Sequence, residues 1–559
     1  MTRPRDLARA LRALGLRPPL PQAALWSDAP APGRALPALL PAAIPAHPPV
    51  ALGLGAAAPA PLDLDAVRAG RLWWPATLAG ALAAEVLVDL RPAPSPAALL
   101  DLAEAQAPPG TRIAVLAAPG GPAARAARAR GLAVLAGPEA ADPEALALVI
   151  GPPGAALPHH AVLGGRRGLT PDGPADPGPW ATRARFLDPW TGAPIPQAQG
   201  LDALAFLRAA AQANDRPVVT FGLSPWKRRC AAPFLTGPAG PPIHRGRPGP
   251  AVAAARRLGA RLAVWGQREP PEGAGDLPLL RLEDGFVRSV GLGIRHAPPA
   301  SLAVDAEGLY FDATRPTDFA RLAREAAFPP ALTARAALLR DRLIALKITK
   351  YNLARSDPLP QTDRPRLLVP GQVEGDASLR WGSPRLHRNA DLLRAARARH
   401  PGAFLLYKPH PDVLTGLRPG AVPPEVLAAC ADAVATGASA DACLDWADAV
   451  ETMTSLMGFE ALLRGKRVAV HGRPFYAGWG LTEDLDPDAP RGRGLSLDEL
   501  TAAALILYPR YIDPGARLPA PPERVLDWLH GERAFVRTPR GRLREAWRGL
   551  ASRVLNVVR

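Results

Sequence analysis

One stretch near the carboxyl terminus decides the fold: Val450-Glu-Thr-Met-Thr-Ser-Leu-Met-Gly-Phe-Glu-Ala-Leu-Leu-Arg-Gly-Lys-Arg-Val-Ala-Val470. Residues 445–450 end in an apolar run that predicts a strand, residues 455–464 predict a short helix, and residues 467–470 predict a second strand. In such a βαβ unit the first turn of the helix presents backbone N–H groups and the positive end of its dipole to an anion. The sequence therefore predicts that a nucleotide phosphate binds beside Thr454 and Ser455.

Glu460 lies inside the predicted helix, among apolar residues. On the helix alone, a solvated carboxylate on the outer face is the favoured interpretation. The alternative is that the carboxylate accepts hydrogen bonds from a ribose, since an ionised Glu has only acceptors and a diol offers two donors. The motifs around the helix favour this second interpretation.

The composition indicates a multidomain protein of a reducing compartment. A chain of 559 residues is long enough for several domains, and its three cysteines have no metal-like spacing. No segment offers the roughly eighteen apolar residues of a membrane span, and no signal-type apolar core follows the amino terminus. We therefore expect a cytoplasmic protein.

The net charge of +16 favours an anionic partner such as a nucleic acid, a phospholipid surface or an acidic glycan. No basic patch interleaved with aromatic residues supports nucleic acid, so we expect none. Four of the five lysines and all six tyrosines fall after residue 300, in a chain that otherwise favours Arg, Ala, Pro and Gly. This bias predicts that the chemistry lies in the second half.

Four short apolar runs, separated by Ala-rich helical segments, occur at residues 84–90, 112–117, 132–136 and 146–150. Buried parallel strands that alternate with helices predict one Rossmann-like layer. It carries no Gly-x-Gly-x-x-Gly and no convergent His, Lys and carboxylate set, so we predict no catalytic site there.

Two motifs of the first half recur in the second half. Gly168-Leu-Thr-Pro-Asp172 and Arg185-Phe-Leu-Asp-Pro189 match Gly480-Leu-Thr-Glu-Asp484 and Arg510-Tyr-Ile-Asp-Pro514, in the same order. Chance is the alternative for such short matches. A tandem duplication whose first copy has degenerated is the simplest explanation.

A second α/β layer is predicted over residues 217–345. Its strand at 279–284 delivers Glu283 and Asp284 to a carboxyl end, where α/β sheets bind ligands, and Gly285 allows a tight bend. A turn with solvated acids is the alternative. Residues 302–312 predict a hairpin, and residues 318–346 predict a long helix that crosses to the next layer.

The third layer begins with a strand at residues 366–370, whose following loop bears Gln372, Asp376 and Ser378. A strand at 404–408 then ends in Lys408-Pro-His-Pro-Asp412. The two prolines restrict this turn to extended geometry, which directs Lys408 and His410.

Polar side chains thus follow four strands, and together they fit glycosyl transfer from a nucleotide donor. Cations and helix N–H groups bind phosphate, one carboxylate binds ribose, and the other carboxylates act as nucleophile or acid/base at an anomeric carbon. His410 alone would more often be structural, but beside an anion site we interpret it as a ligand-binding residue. No His/Asp cluster has metal-ligand spacing, so we expect neither a metal nor a cofactor.

Residues 215–530 resemble the KpsC family of capsule polysaccharide biosynthesis proteins, which are Kdo transferases. The resemblance rests on these motifs, in order: Arg281-Leu-Glu-Asp-Gly-Phe-Val-Arg-Ser289, Tyr310-Phe-Asp-Ala-Thr-Arg-Pro-Thr-Asp318, Lys350-Tyr-Asn-Leu353, Val369-Pro-Gly-Gln-Val-Glu-Gly-Asp-Ala-Ser378, Tyr407-Lys-Pro-His-Pro-Asp412 and Pro474-Phe-Tyr-Ala-Gly-Trp-Gly-Leu-Thr482. KpsC-like proteins have two tandem modules of GT-B fold that transfer Kdo from CMP-Kdo, with retention, to a lipid-linked acceptor. The match is to the second module, which is associated with the β-2,7 linkage.

The resemblance implies a role for each motif residue. Asp376 is the implied nucleophile and Glu283 or Asp284 the implied acid/base. The implied substrate-binding residues are Lys408, His410, Thr454, Ser455, Glu460, Gln372, Ser378, Arg288, Lys350, Tyr351, Asn352, Tyr476 and Trp479.

The resemblance also implies an α/β fold of GT-B type, with two Rossmann-like domains after a truncated, degenerate α/β module. The expected division is 1–210 for the degenerate module, 211–350 for the acceptor-side domain, 351–530 for the nucleotide-sugar domain and 531–559 for a basic amphipathic helix. That last helix either lies on the cytoplasmic face of the inner membrane or packs as an ordinary surface helix.

The expected function is transfer of Kdo from CMP-Kdo to a Kdo-terminated (lyso)phosphatidylglycerol acceptor, with other capsule synthesis or export proteins as possible partners. Because the first module lacks its motifs, we expect one linkage rather than two. Two alternatives remain open at this point. One is a transferase of the same fold with another nucleotide sugar, and the other is a non-catalytic glycolipid-binding factor of capsule assembly or export.

Overall fold

The computed structural model describes residues 53–54, 81–91, 96–136, 140–142, 144–152, 158, 161–162, 166–175, 184–290, 297–350, 357–416, 418–486, 491–541 and 543. Contacts divide the chain into two units. The first comprises residues 1–217 with 235–242 and 515–518, and the second comprises residues 218–234, 243–514 and 519–559.

The first unit is built around a six-stranded sheet, the N-terminal sheet, with strand order β4-β3-β2-β5-β6-β7. Its described elements are β1 (Gly53–Leu54), β2 (Val86–Asp89), α1 (Pro96–Gln106), β3 (Ile113–Leu116), α2 (Pro122–Ala129), β4 (Ala133–Leu135), β5 (Leu148–Ile150), β6 (Arg167–Thr170), β7 (Gly173–Pro174), β8 (Ala184–Leu187), β9 (Pro194–Ile195) and α3 (Gln197–Gln212).

The four predicted strands of this unit are β2 to β5, and they pair in parallel as expected. Their central residues, such as Leu87, Val115 and Val149, are fully buried. Helices α1 and α2 pack on one face of the sheet with small apolar side chains, including Ala103 and Ala127. The prediction of a Rossmann-like layer is therefore confirmed.

The second unit contains two further sheets. Its strands are β10 (Val218–Phe221), β11 (Ile243–Arg245), β12 (Arg261–Trp265), β13 (Leu279–Asp284), β14 (Ser301–Asp305), β15 (Arg366–Pro370), β16 (Phe404–Lys408), β17 (Ala433–Val434), β18 (Ala449–Thr452), β19 (Arg467–Val470), β20 (Glu483–Asp484), β21 (Arg510–Asp513) and β22 (Leu518–Pro519). Its helices are α4 (Pro225–Leu235), α5 (Pro248–Leu258), α6 (Asp318–Glu325), α7 (Pro330–Ala345), α8 (Ala377–Gly382), α9 (Asn389–Arg399), α10 (Pro411–Leu414), α11 (Pro424–Cys430), α12 (Ala440–Trp446), α13 (Leu456–Leu463), α14 (Leu497–Thr501) and α15 (Pro522–Arg537), with a π-helical segment at Ala502–Leu507.

One sheet of the second unit takes most of its strands from the range expected for the acceptor-side domain, and we call it the acceptor-side sheet after that expectation. Its order is β11-β10-β12-β13-β14-β21-β22. Strands β10 to β13 run parallel, whereas β14 is antiparallel to both β13 and β21. Strand β21 joins this sheet although its residues lie within 351–530, the range expected to form the nucleotide-sugar domain. This return of the chain was absent from the predicted division into domains.

Two predicted elements of this region are wrong. The hairpin at 302–312 is a single strand, β14, because the Asp305 carboxylate accepts the N–H groups of Glu307, Gly308 and Asp318 and so holds a turn instead of a second strand. The long helix at 318–346 is two helices. It breaks before Pro329-Pro330, where Ala326 is already extended (ψ 143°) and each proline disfavours helical geometry in the residue before it.

The C-terminal sheet has the order β17-β16-β15-β18-β19-β20, with all neighbouring strands parallel. Counted within each sheet, this is the strand order of the N-terminal sheet. This order is common among doubly wound sheets, so the duplication stays a prediction. The fold class, an α/β protein with two Rossmann-like domains after a further α/β module, is confirmed.

Among the described residues, no helix is long and apolar enough to cross a membrane. Helix α15 ends at Arg537. Within it, the Arg533 side chain donates hydrogen bonds to the carbonyls of Leu346 and Lys347, just after helix α7. The predicted amphipathic helix falls mainly on residue 542 and residues 544–559, which lie outside the described part of the chain.

Candidate active site

A cleft of about 670 Å³ opens within the second unit, at the carboxyl ends of its parallel strands. Strand β13 of the acceptor-side sheet contributes Glu283, and the loops after β15, β16 and β18 contribute the facing wall. Those lining residues that the sequence predicted are Glu283, Lys350, Gln372, Asp376, Ser378, Lys408, His410, Thr454, Ser455 and Glu460. The loops predicted to converge do converge on one cleft.

Aromatic side chains close the cleft at its base and join the two sheets. Phe286, just after β13, stacks on Phe475 with 4.3 Å between ring centroids and meets the edge of Tyr310 at 4.7 Å. Tyr310 and Phe475 themselves line the cleft. These contacts fix the spacing between Glu283 and the C-terminal sheet.

Helix α13 begins at the cleft, as the opening stretch of the sequence predicted. Ser455 caps it by accepting the N–H of Met457 at 3.2 Å. Thr454 and Gln372 hold each other by two hydrogen bonds of 2.9 Å, one from the Thr454 N–H and one from the Gln372 amide. Gln372 thereby fixes the turn before the helix.

Lys408 and His410 provide the cationic and hydrogen-bonding wall. The buried Lys408 ammonium donates to the carbonyl of Ala438 at 2.7 Å, and burial lowers its pKa. His410 accepts the N–H of Asp412 at Nδ1 (3.1 Å), so the neutral ring carries its proton on Nε2. Burial also lowers the pKa of His410, which favours this neutral form.

Glu283 and Asp284 occupy different environments. Burial, followed by the charge of Asp284, raises the pKa of Glu283 to about 7. The Asp284 carboxylate instead accepts the Arg288 guanidinium at 2.6 Å. Glu283 therefore faces the cleft in a state that exchanges a proton near neutral pH, whereas Asp284 is held by its arginine.

Asp376 lies at the mouth of the cleft, immediately before helix α8. Its carboxylate accepts the Ser378 hydroxyl at 3.2 Å and lies 3.8 Å from the Arg418 guanidinium. The side chain remains about half exposed, at 51%. A carboxylate that is reachable from the cleft has the properties of a nucleophile.

Glu460 is buried, so the interpretation as a solvated face residue is wrong. Its side chain lines the cleft and accepts the backbone N–H of Lys350 at 2.9 Å. Burial raises its pKa to about 7, although the charges of Arg464 and Lys350 oppose this. The contact also ties helix α13 to the segment that links the two sheets.

Four predicted site residues lie behind the cleft rather than on it. Asp284 and Arg288 form the ion pair described above. Tyr476 is fully buried and donates to the Ser455 carbonyl at 2.6 Å, while Trp479 donates from its indole N–H to the Phe475 carbonyl at 2.8 Å. These side chains position cleft residues. Tyr351 and Asn352 lie outside the described residues.

The loop of residues 436–440 also lines the cleft, and the sequence reasoning missed it. Ser439 caps helix α12 by accepting the N–H of Ala442 at 3.1 Å. Gly437 packs closely on the Asp357 carboxylate, so a larger residue at this position would have to displace that side chain. The Ser-x-x-Ala capping pattern after a short strand was the available signal.

Within the part of the chain that the structure describes, no cluster of three or more His, Cys, Asp or Glu side chains could hold a metal ion. Among its described residues the cleft offers the half-exposed carboxylate of Asp376, two carboxyls with a pKa of about 7 (Glu283 and Glu460), a buried ammonium and capped helix N-termini. This set has the chemistry of the class of sites that bind phosphate and exchange protons with a substrate on an α/β scaffold.

Comparisons with known proteins agree with this class. The family model "Capsule polysaccharide biosynthesis protein" matches residues 331–511. LipA, the capsule polysaccharide modification protein of Neisseria meningitidis serogroup A, is 43% identical over 347 residues, which is 59% of this chain and 48% of LipA. The lipopolysaccharide-processing protein LpsZ of Rhizobium meliloti is 39% identical over 327 residues, which is 56% of this chain and 74% of LpsZ.

Two solved structures of Thermosulfurimonas dismutans KpsC also match. One is described as a beta Kdo 2,7 transferase and the other as a beta Kdo 2,4 transferase. Each is 34% identical and covers 56% of this chain; the matches span 99% and 98% of those chains, with TM-scores of 0.48 and 0.49.

The chain belongs to the KpsC-type family of capsule polysaccharide biosynthesis proteins, since LpsZ shares 39% identity over 74% of its own length. The predicted family is therefore confirmed. The chain spans about half the length of LipA.

Proposed function

We propose that this protein is a retaining glycosyltransferase that transfers Kdo from CMP-Kdo to a Kdo-terminated lipid acceptor in capsule synthesis. One observation carries the proposal: Asp376 and Glu283 line the same cleft as Lys408, His410, Ser455 and Glu460. Family membership and the printed activity of KpsC support the choice of sugar.

The donor binds along the C-terminal sheet. Lys408, the Nε2–H of His410 and the first turn of helix α13 bind its phosphate, because all three are donors or positive dipole ends. Glu460 accepts the ribose hydroxyls. In this proposal the anomeric carbon of the sugar faces Asp376 and Glu283, which line the same cleft.

Transfer then proceeds by two displacements. The Asp376 carboxylate attacks the anomeric carbon as the bond to the CMP phosphate breaks, and CMP departs with the bonding electron pair. The acceptor hydroxyl next attacks the same carbon, giving its proton to Glu283 and releasing Asp376 as a carboxylate. Two inversions give net retention. We assign the base to Glu283 rather than Asp284, since Arg288 engages Asp284 at 2.6 Å.

The β-2,7 linkage and a peripheral position on the inner membrane belong to the same proposal. The motif resemblance supports the linkage. The net charge of +16 supports the membrane position, because the cytoplasmic leaflet is anionic.

A transfer assay tests the proposal, with CMP-Kdo and a synthetic Kdo-terminated acceptor. The wild type is compared with Asp376→Asn, Glu283→Gln and, as matched control, Asp391→Asn, an exposed carboxylate of helix α9 that pairs with Arg394. We expect one β-linked Kdo per acceptor and a loss of about 10³-fold or more in the first two variants, since each removes a reacting group. The control should retain wild-type activity.

Mass spectrometry of the Glu283→Gln variant sharpens the test. Without a base, the second displacement slows and a Kdo adduct on Asp376 should accumulate. An α-linked product, or an adduct on another residue, would contradict the double displacement. If CMP-Kdo is neither bound nor consumed, the choice of donor is wrong.

A further inference from the structure

Four basic side chains gather at the carboxyl edge of the acceptor-side sheet, outside the cleft. Strands β10, β11, β12 and β13 are parallel, so their carboxyl ends share the edge that carries Glu283. At or just after the ends of three of these strands lie Lys227, Arg228, Arg245 and Arg268, which we call the basic rim.

Local packing fixes the rim side chains in place. The Lys227 ammonium lies 4.1 Å from the ring centroid of Trp265. The Arg228 and Arg245 guanidinium groups each donate to a backbone carbonyl at 2.9 Å, those of Leu223 and His244. The contacts of Arg228 and Arg245 order these two guanidinium groups without neutralising them.

Because Gly222 has no side chain, the Arg268 guanidinium can reach the basic rim. Its φ is +68°, and a Cβ there would lie 2.2 Å from a guanidinium nitrogen of Arg268. The guanidinium therefore packs directly on the backbone of the β10–α4 turn. Among the described residues, no ion pair joins Arg228, Arg245 or Arg268 to a carboxylate.

The field at the rim is positive. His244 bonds Thr220 at 3.1 Å, and its pKa is lowered by burial and by the charges of Arg228 and Arg245, so it is neutral at neutral pH. The first turn of helix α4 adds the positive end of its dipole at the same edge. Like charges held side by side repel one another, and a bound anion relieves that repulsion.

The rim lies on the Glu283 side of the cleft, because the charge of Lys227 acts on Glu283. The donor phosphate is bound on the opposite side, by the loops of the C-terminal sheet. An anion at the rim therefore belongs to the molecule that approaches Glu283.

We propose that the basic rim binds an anionic group of the acceptor, either the carboxylate of its terminal acid sugar or the phosphate of its lipid. This inference rests on the proposed function, since it assumes that Glu283 receives the proton of an acceptor hydroxyl. The rim thereby positions the acceptor and selects anionic acceptors over neutral ones.

Kinetics of the double variant Arg228→Gln/Arg245→Gln test the proposal. The matched control is Arg257→Gln, an exposed arginine near the end of helix α5, at the opposite edge of the same sheet. We expect the KM for the acceptor to rise at least about tenfold in the double variant, from the loss of charge-assisted hydrogen bonds. The KM for CMP-Kdo and its slow hydrolysis by water should stay unchanged, and the control should behave as wild type.

Three acceptors identify the anion: a Kdo glycoside without phosphate, its methyl ester, and a Kdo-terminated lipid phosphate. If the rim binds the carboxylate, the ester shows the raised KM already with the wild type, and the double variant raises it no further. If the rim binds the phosphate, only the lipid phosphate distinguishes the wild type from the double variant. An unchanged acceptor KM for every acceptor overturns the proposal.

Failure of the wild type to transfer Kdo would disprove the proposed function without deciding whether the basic rim binds an anion. If the wild type transfers no Kdo, direct calorimetric binding of the free glycoside and the lipid phosphate to the wild type and the double variant still tests the rim. Equal affinity of the two proteins for both ligands then overturns it.

Discussion

The N-terminal and C-terminal sheets share one strand order but differ at their strand ends. In the C-terminal sheet, β16 ends in Lys408 and β18 leads to Thr454 and Ser455, all on the cleft. In the N-terminal sheet, β2 ends in Asp89, which is buried and binds Arg91 through two hydrogen bonds of 2.9 Å. The loop after β3 there runs Ala117-Ala-Pro-Gly-Gly121.

This difference shows that the sheet architecture and the binding residues depend on different parts of the sequence. Burial of apolar strands preserves the order of a parallel sheet whatever follows each strand, because core packing depends on the central residues. Binding depends on a few polar residues beyond them. Among the described residues after β2 and β3 of the N-terminal sheet, side chains are apolar or bonded to one another, as at Asp89 and Arg91, and they form no such site.

Replacement of Lys408 should produce the largest effect on donor binding. Lys408→Ala removes the only described lysine ammonium at a strand end of the C-terminal sheet, and we expect the Kd for CMP to rise by about 10²-fold from the loss of a buried charged donor. Lys466→Ala, at the opposite edge of the same sheet, is the control and should bind CMP as the wild type does. Calorimetry measures both, and equal affinities would remove Lys408 from the site.

The pH dependence of transfer should report Glu283. Burial and the charge of Asp284 raise the pKa of Glu283 to about 7. A base must be ionised, so kcat should fall about tenfold per pH unit below that value and level off above it. Glu283→Gln should be slow and flat across the same range. A wild-type profile that rises toward low pH would show instead that the protonated form is the active one.

A smaller effect is expected for the buried Tyr476. Tyr476→Phe removes the hydrogen bond to the Ser455 carbonyl, which should cost about 1 kcal/mol of stability. Because the bond holds the turn before helix α13, the KM for the donor should rise several-fold with kcat nearly unchanged. Thermal denaturation and steady-state kinetics check the two parts. A fall in kcat of a hundredfold would mean that Tyr476 acts on the reaction itself.

The smallest effect on transfer is expected in the N-terminal sheet. Asp89→Asn weakens the buried pair with Arg91 and should lower the free energy of unfolding of the first unit by about 1–3 kcal/mol. The donor Kd and kcat should stay within about twofold of wild type at temperatures where the variant is folded, because this pair takes part in no step we propose. A large loss of donor affinity would show that this sheet takes part in binding.

Much of this was accessible from sequence, because the strands are short apolar runs and the site residues follow them. Motif order identified the family and brought Glu283, Asp376, Lys408, Ser455 and Glu460 to one cleft. Hydrophobic periodicity was enough to locate the strands that these residues follow. The register of a buried strand then leaves little freedom to the residues at its end.

The errors arose where side chains or distant segments decide the structure. The turn after β14 depends on the Asp305 carboxylate. Strand β21 pairs with β14 although the two are far apart in sequence, with Ser301 opposite Tyr511. Strand β18 includes the fully buried Glu451, which His471 binds at 2.7 Å and His400 at 2.9 Å. The local sequence pattern does not show which residues distant in sequence will contact a given side chain or strand.

The central claim is that each chain has one donor site, on the C-terminal sheet. The most direct test is the stoichiometry of CMP binding to the full chain by isothermal titration calorimetry, for the wild type and Lys408→Ala. We predict one CMP per wild-type chain and no detectable binding to the variant at the same concentrations. Two sites per chain, or one site that survives in Lys408→Ala, would contradict the account and direct attention to the N-terminal sheet.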